Sequence, residues 1–358
     1  MSRKTGHKWW RRYEAAGTTG LHERSRRPQT SPTALTGELA ALCVRARQAH
    51  PTWGRRKLLA YLARRHPQCS AWPVASTVGA LLKREGLVRP RRRRPHPGHP
   101  GRPSTAMTAP NVLWSADFNG QFRLGTGAYC YPLTVVDGYS RYLLACRGLQ
   151  SVATLGARGV FEHLFRMYGL PDRIRKDNVA PFATCALGRL SALSVWWLKL
   201  GITPELIQPA HPEQNGRHER MHRTLKAEAT KPPATTWRSQ QRRFDRFQQG
   251  YNVERPHEAL GQVPPAHHYV TSPRPYPPAL SPMLYPRHFE TRYVSTNGGI
   301  RWHHRWVNVS HVLGEEYVGL EEVADGVWSV HFGSLLLGRL DERDYRMHGA
   351  HNRQRLSR

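Results

Sequence analysis

Four acidic residues stand where hydrolytic or transfer chemistry would need them. Asp117 sits in the apolar run "WSADFNG", Asp177 closes "RIRKDN", and Glu213 and Glu219 flank an Asn-Gly turn in "HPEQNGRHERMHRTLKAE". Carboxylates are hard oxygen donors, so three brought together suit Mg²⁺ or Mn²⁺. Two such ions about 3.5–4 Å apart activate a water or a hydroxyl and stabilise the leaving oxygen of an in-line phosphodiester displacement. The same stretch offers a second chemistry. His218-Glu219-Arg220-Met221-His222 fits the H-E-x-x-H pattern, in which two histidines hold zinc and the glutamate acts as base. Against it, Leu225 stands where the metzincin pattern needs glycine, no third histidine follows at its place, and 20 histidines in 358 residues make an accidental match easy. The blandest reading is a solvated helix in which Glu219 and Arg223 form an i,i+4 pair worth a few tenths of a kcal/mol.

For the carboxylates to meet, their segments must be neighbours. "NVLWSADFNGQF", "AYCYPLTVVDG" and "RYLLACRGL" are three β-rich runs joined by short turns. "SVATLGARGVFEHLFRMYG" reads as a helix, "PDRIRKDN" as a short strand, "LGRLSALSVWWLKLG" as a helix and "ITPELIQPA" as a fifth strand, with a further helix opening near Asn215. This order predicts a mixed five-stranded α/β sheet with helices on its faces, the fourth strand lying beside the first through a right-handed crossover. Asp117 and Asp177 would then face each other at the sheet's carboxyl edge, and a carboxylate on the last helix would close the cluster. On that helix Glu219, Arg223 and Lys226 recur at i, i+4, i+7, so the acid shares its face with two cations suited to phosphates. Met221 and Leu225 fall on another stripe, facing the sheet. Asp137 in "VVDGYSR" lies one strand too far away and is assigned to a turn, and Trp196 and Trp197 to the core.

The charge balance names a class of partner. Lys plus Arg number 54 against 25 Asp plus Glu, a net charge of +29 and a pI near 10.9. Residues 1–103 hold 23 of those cations and 4 of the acids, so 19 of the 29 net charges lie there. Such an excess favours a polyanion, nucleic acid before membrane, and no apolar run of about 18 residues or signal peptide is visible. Five scattered cysteines without a C-x-x-C pair point to a reduced cytoplasmic setting and away from structural zinc. Residues 1–27 resemble a lone DNA-reading helix, with Arg3, Lys4 and Lys8 toward phosphates and Trp9, Trp10 and Tyr13 as anchors. Its supporting helices would have to precede Met1, so the segment is expected to be the remnant of a first helix-turn-helix, from a late start or a truncated gene. Residues 34–89 carry three amphipathic segments, a second helix-turn-helix whose third helix offers Ser76, Thr77, Lys83 and Arg84 to the major groove. A basic Pro/Arg linker, 90–110, carries Arg91, Arg92, Arg93 and Arg94 to track phosphates. The catalytic core and its trailing helix are placed at 111–270, a Pro-rich linker at 271–286, and a small β-barrel at 287–348, filled by Trp302, Trp306, Trp328 and Phe332.

Four motifs occur in a fixed order: "WSADFNGQF", "KDNVAPF", "HPEQNGRHERMHRTLKAE" and "YNVERPHEALG". Together with the flanking domains, they resemble the DDE integrase-core transposases of bacterial insertion sequences, relatives of the retroviral integrases. The resemblance covers nearly the whole chain. It implies a ribonuclease-H-like core with two Mg²⁺ (or Mn²⁺) ions, cleavage of transposon ends and strand transfer into target DNA. It also implies an oligomer on double-stranded DNA, in the bacterial cytoplasm on the nucleoid. Asp117 and Asp177 are the two aspartates of that site. Between Asp177 and Glu213 lie 35 residues, the spacing for which the family is often named, and 41 separate Asp177 from Glu219. Motif context favours Glu219, because the family's glutamate follows Asn-Gly by two residues. Val179 replaces the glycine that usually follows the Asp-Asn pair. In "YNVERPHEAL", Arg255 and His257 are assigned to locking the chain exit rather than to DNA. The alternative function is a transposase-derived DNA-binding protein without chemistry.

Overall fold

The helical periodicity of the amino-terminal third is realised in four helices. In a computed structural model of the chain, residues 2–23, 35–88, 105–176, 182, 189–207 and 215–349 are described. Helix α1 (Arg3–Ala16) is capped by Ser2, whose hydroxyl accepts from the Thr5 amide, and it ends at Gly17 with φ 59°. None of its residues is buried, and Trp10 is 61% exposed. The expected anchoring by Trp10 and Tyr13 is therefore not realised among the described residues. Helices α2 (Gly37–Ala49), α3 (Arg55–Arg65) and α4 (Ala75–Arg84) close around Cys43, Trp53, Leu58, Leu62, Val78, Leu81 and Leu82. These apolar positions recur at three and four residues, as a core-facing stripe requires. Arg47 staples the module, donating from Nη2 to the Leu87 carbonyl at 2.9 Å and from Nη1 to the Trp53 carbonyl.

The middle of the chain builds the mixed sheet. Its strands are β1 (Leu113–Phe118), a two-residue β2 (Phe122–Arg123), β3 (Tyr129–Asp137), β4 (Leu143–Leu149), β5 (Arg173–Lys176) and β6 (Thr203–Leu206). The order is β2-β3-β1-β5-β6, with β4 also on β3. β1 to β4 pair antiparallel, whereas β5 is parallel to both β1 and β6, as expected for the fourth strand beside the first. α5 (Thr154–Tyr168) makes the crossover, and α6 (Ala192–Lys199) joins β5 to β6. Together they bury Phe161, Phe165, Trp196 and Trp197 against Trp114, Leu133 and Ile174. Asp137 holds the turn after β3, accepting from the Asn111 amide, the Ser140 amide and the Ser140 hydroxyl.

On the other face lie α7 (Gly216–Leu225), continued by a π turn (Lys226–Thr230), and α8 (Trp237–Gln249). β4 is a sheet edge, and unpaired edge groups invite association unless covered. Here side-chain amides cover it. Gln241 accepts from the Gly148 amide at 3.0 Å, Gln248 donates to the Leu143 and Leu144 carbonyls, and Asn252 both accepts from and donates to Leu143.

The Pro-rich segment read as a linker is sewn to the core at its start. Arg274 donates to the Pro171, Leu200 and Gly201 carbonyls, and the Leu170 amide donates to the Arg274 carbonyl at 2.8 Å. This strap crosses Gly169 so closely that a Cβ there would lie 2.7 Å from two strap carbonyls, and φ at Gly169 is 76°. Glycine satisfies both demands. Beyond the strap, β7 (Glu290–Tyr293), β10 (Tyr317–Ala324), β11 (Val327–Phe332), β12 (Leu335–Asp341) and β13 (Arg346–Gly349) form an antiparallel sheet. A hairpin of β8 (Gly299–Trp302) and β9 (Arg305–Asn308) shares its core. Trp302 and Phe332 are buried in that core, and Glu342 accepts from the Trp302 and Trp328 indoles at 2.8 Å. Trp306 does not fill it: strand alternation points Val307 inward and leaves Trp306 51% exposed, lying over Gly299. Helix α6 belongs to this core as well, through Leu190 just before it and through Val195 and Leu198, and Lys199 pairs with Glu316 at 2.6 Å.

The α2–α4 module also rests on the core. Arg64 Nη2 donates to the Glu254 carbonyl at 2.9 Å, Arg65 pairs with Glu254 at 3.1 Å and Arg56 with Glu258 at 3.3 Å. At the centre of this seam the Arg255 guanidinium lies 5.8 Å over the Trp53 ring and pairs with Glu228 at 2.7 Å, and Thr52 donates to the same Glu228. Arg255 thus locks the chain exit to the amino-terminal module.

Candidate active site

Asp117 lies on β1, and its carboxylate is partly exposed (20%) at the end of the sheet. The Asn-Gly turn that opens α7 brings Asn215 against it. The Asn215 amide donates to Asp117 Oδ2 at 3.3 Å, while its carbonyl oxygen accepts from the Ser115 hydroxyl at 2.8 Å. Two turns further, His222 Nδ1 stands 3.8 Å from the same Oδ2. On an α-helix, residues 215, 219 and 222 fall along one stripe. Glu219 therefore sits between the two residues that touch Asp117, and it is exposed to solvent.

The histidines of the H-E-R-M-H stretch are used structurally. The Thr134 hydroxyl donates to the Asp117 carbonyl at 3.1 Å, and the Nε2 atoms of His218 and His222 each lie 2.7 Å from that hydroxyl oxygen. With the hydroxyl proton spent on a carbonyl, both imidazoles donate from Nε2 to the oxygen's lone pairs. Among the described residues, no group of three or more His, Cys, Asp or Glu is arranged to hold a metal. Burial, reinforced by Lys226, pushes His222 down to about 3, and burial with His222 beside it holds His218 well below its usual value. His257 is likewise held at about 3 by burial and then by Lys57, Arg255 and Arg141. All three imidazoles are neutral in the fold at neutral pH. Asn215 thus orients the Asp117 carboxylate without adding a charge, while the neutral His222, donating from Nε2 to Thr134, adds none beside it.

A pH dependence of stability follows. Unfolded histidine takes up a proton near 6.5. Below that pH the unfolded chain binds protons that these folded imidazoles refuse, so stability is full above 6.5 and declines toward about 3. The slope reaches up to about 1.4 kcal/mol per pH unit for each histidine. Urea unfolding from pH 7.5 to 5 should show this decline, and His222→Asn should make it shallower by one histidine's share. An unchanged slope in that variant would contradict the neutral assignment.

Of the residues expected at the site, Asp117 and Glu219 lie on adjoining elements, while Asp177, Val179 and Glu213 lie outside the described residues. Met221 and Leu225 pack on the sheet as expected. Arg223 on α7 and Lys226 in the π turn after it are exposed, as are Arg3, Lys4 and Lys8 on α1, and Ser76, Lys83 and Arg84 on α4, with Thr77 half-buried. Arg91, Arg92, Arg93 and Arg94 fall outside the described residues. Sequence reasoning missed Asn215, Ser115, Thr134 and the buried role of His218 and His222. The available signal was spacing: 215, 218 and 222 share a face with the acid, and the face that carries a site's acid also carries the residues that hold it in place.

Two models of the integrase core domain match residues 107–212 and 200–265, and a homeodomain-like domain model matches residues 5–82. A protein of insertion element IS476 from Xanthomonas euvesicatoria is 26% identical over 253 residues, 70% of either chain. A protein of insertion element IS407 from Burkholderia multivorans is 28% identical over 198 residues, 54% of this chain and 65% of that one. The chain carries an integrase core domain and is similar to proteins of bacterial insertion elements. Its core is also similar to the Gag-Pol polyprotein of baboon endogenous virus, at 32% identity over 122 residues, 34% of this chain but 7% of the polyprotein. Among solved structures, the HTLV-2 integrase catalytic core domain in complex with magnesium superposes with a TM-score of 0.36 at 14% identity, covering 45% of this chain and 99% of that one. The catalytic core domain of BIV integrase gives 0.33 at 17% identity, covering 44% and 92%. The ribonuclease-H-like assignment rests on the strand order β3-β1-β5-β6 and its parallel half. No helix among the described residues is long and apolar enough to cross a membrane.

Proposed function

We propose that this chain cleaves the ends of a transposable element and joins them to target DNA, using Asp117, Asp177 and Glu219 as the acidic triad. The support is the register of β1 on β5. Ala116 pairs with Lys176 across parallel strands, and in the sequence Asp117 follows the one and Asp177 the other. Parallel neighbours in register carry their following residues forward on the same edge. Glu219, between Asn215 and His222 on α7, supplies the third carboxylate from above.

The donor set fits the ions the family uses, because oxygen donors select hard divalent cations and both nearby histidines are turned to Thr134. Two Mg²⁺ or Mn²⁺ ions held by the three carboxylates would activate a water or 3′-hydroxyl and stabilise the leaving oxygen. The chain's own residues position the rest. Asn215 and Ser115 fix the Asp117 carboxylate, Arg223 and Lys226 hold phosphates of the DNA end, and α4 reads the duplex with Ser76 and Thr77. Double-stranded DNA is the partner, as element ends and as target, and an oligomer on the bacterial nucleoid brings two ends together.

Incubating the chain with a duplex that carries the element's ends should give nicking at the element border with Mg²⁺ and none with EDTA. Binding without nicking under either condition would leave a DNA-binding protein without chemistry. Nicking that persists in EDTA would sink the metal mechanism.

A further inference from the structure

The carboxy-terminal sheets carry a groove to which nothing above gives a role. It lies between β9, with the turn that follows it, and β13, and it encloses about 880 Å³. That volume falls within the roughly 300–1,000 Å³ of ligand-sized clefts. Trp306 and Asn308 line it as successive outward residues of β9, and both are exposed. The Trp306 indole has a seat. It lies over Gly299, where a Cβ would come within 2.3 Å of Cε2 and Cζ2, while 51% of the tryptophan stays exposed. The φ of Gly299 lies outside the left-handed region, so the ring rather than the backbone requires the glycine. In the same wall Ser310 is only 5% exposed, and its buried Oγ has no hydrogen-bond partner. A buried hydroxyl in that state is costly until something bonds it. Two cations complete the lining: Arg305, whose guanidinium is steadied 4.6 Å over the Tyr345 ring, and the exposed Arg346. Asp344, the acid of the lining, already receives the Arg346 amide and His348 Nε2, each at 2.8 Å.

A seated aromatic ring, an unused hydroxyl and two cations complement a nucleotide whose base is unpaired. Bases of any sequence stack on aromatic side chains. In a duplex, neighbouring base pairs already cover those faces, so a surface ring has nothing to receive. A basic peptide would be repelled by Arg305 and Arg346, and an apolar one would leave the Ser310 hydroxyl unmet. We propose that this groove holds one unpaired nucleotide of a DNA strand. Its base stacks on Trp306, the Ser310 hydroxyl and the Asn308 carboxamide bond the base edge, and Arg305 and Arg346 take the phosphate. This rests on the DNA-processing reading above and deepens it. Helix α4 engages duplex, whereas the carboxy-terminal sheets retain a strand that has been opened or cut.

The test compares a short oligothymidylate with a blunt duplex of equal length, each titrated with the full chain and read by fluorescence anisotropy. Trp306→Ala should weaken oligothymidylate binding roughly tenfold, the size of one lost base–aromatic stack, and leave blunt-duplex affinity nearly unchanged. Trp306→Phe keeps a ring and should retain most of the affinity. Gly299→Ala unseats the indole and should act like Trp306→Ala, and the two together should weaken binding no further than either alone. Ser310→Ala should weaken the single strand severalfold while the melting temperature holds or rises, because it removes a buried hydroxyl that lacks a partner. Arg305→Gln should lower the slope of log affinity against log salt by about 0.7, the share of one single-strand phosphate. Unchanged oligothymidylate affinity in Trp306→Ala, in a chain that still binds duplex, would overturn the nucleotide site and leave the DNA-processing reading standing. Equal losses on single strand and blunt duplex would make the groove a duplex contact and would also overturn it. Saturable binding of a proline-rich peptide that Trp306→Ala abolishes, with oligothymidylate unaffected, would assign the groove to a protein partner instead. Failure of the wild-type chain to bind either DNA would count against both readings.

Discussion

Asp117→Asn should reduce Mg²⁺-dependent nicking by at least about three orders of magnitude while leaving affinity for the duplex nearly unchanged. The size follows from the proposed role: a carboxylate that would help to hold two ions is worth several kcal/mol of transition-state stabilisation, and each 1.36 kcal/mol is tenfold in rate. The selectivity follows from what stays. Asparagine keeps the side-chain shape, and its carbonyl oxygen still accepts from Asn215. The Thr134 bond goes to the backbone carbonyl of residue 117 and does not depend on the side chain. The cations proposed to hold DNA lie on α1, on α4, in the basic linker and along α7 with its following turn, so binding does not pass through this residue. A folded variant that still nicks at the wild-type rate would remove Asp117 from the chemistry. One that is folded but has lost its affinity for DNA would make it a binding residue.

Trp197→Ala should cost about 3–5 kcal/mol of stability, a large share of the 5–15 kcal/mol that keeps a domain folded. Trp197 is fully buried, with its ring 4.9 Å from Phe161 edge-on and 6.4 Å from Phe182. The Lys176 ammonium lies 6.0 Å from the same ring and donates to the Phe182 carbonyl and the Ser194 hydroxyl. Truncation opens a cavity on that ammonium, which burial already pushes down to about 7. Trp306→Ala, on the exposed outer face of β9, is the matched control and should cost less than about 0.5 kcal/mol. Urea denaturation of both variants measures the difference. Equal losses would mean that α6 is not the shared centre of packing.

Much of the fold is legible because it is local. The 3.6-residue periodicity of 37–49, 55–65 and 75–84 and the β-rich runs within 113–149 each predict the element that forms. The place of β5 beside β1 follows from the handedness of the crossover. What sequence pattern does not carry is pairing between distant parts. Gln241, Gln248 and Asn252 look like an ordinary polar stripe until an open edge of β4 is set beside them. The cations of α3 read as a DNA surface, yet Arg56, Arg64 and Arg65 are spent on Glu258, Glu254 and the Gln262 carbonyl. At the site, the acids are visible by type, but their supports are not. His218 and His222 look like zinc ligands because a motif cannot say which hydroxyl waits across the sheet, and only the fold brings Thr134 to them.

Helix α6 has a consequence for how such proteins exchange parts. It gives Trp196 and Trp197 to one interior and Val195 and Leu198 to another. The carboxy-terminal sheets are therefore no detachable cassette. A chimera that takes them from a cousin would leave Leu190, Val195 and Leu198 against a mismatched lining and Lys199 without Glu316. Recombination between relatives should respect that inheritance, moving α6 and the terminal sheets together or not at all.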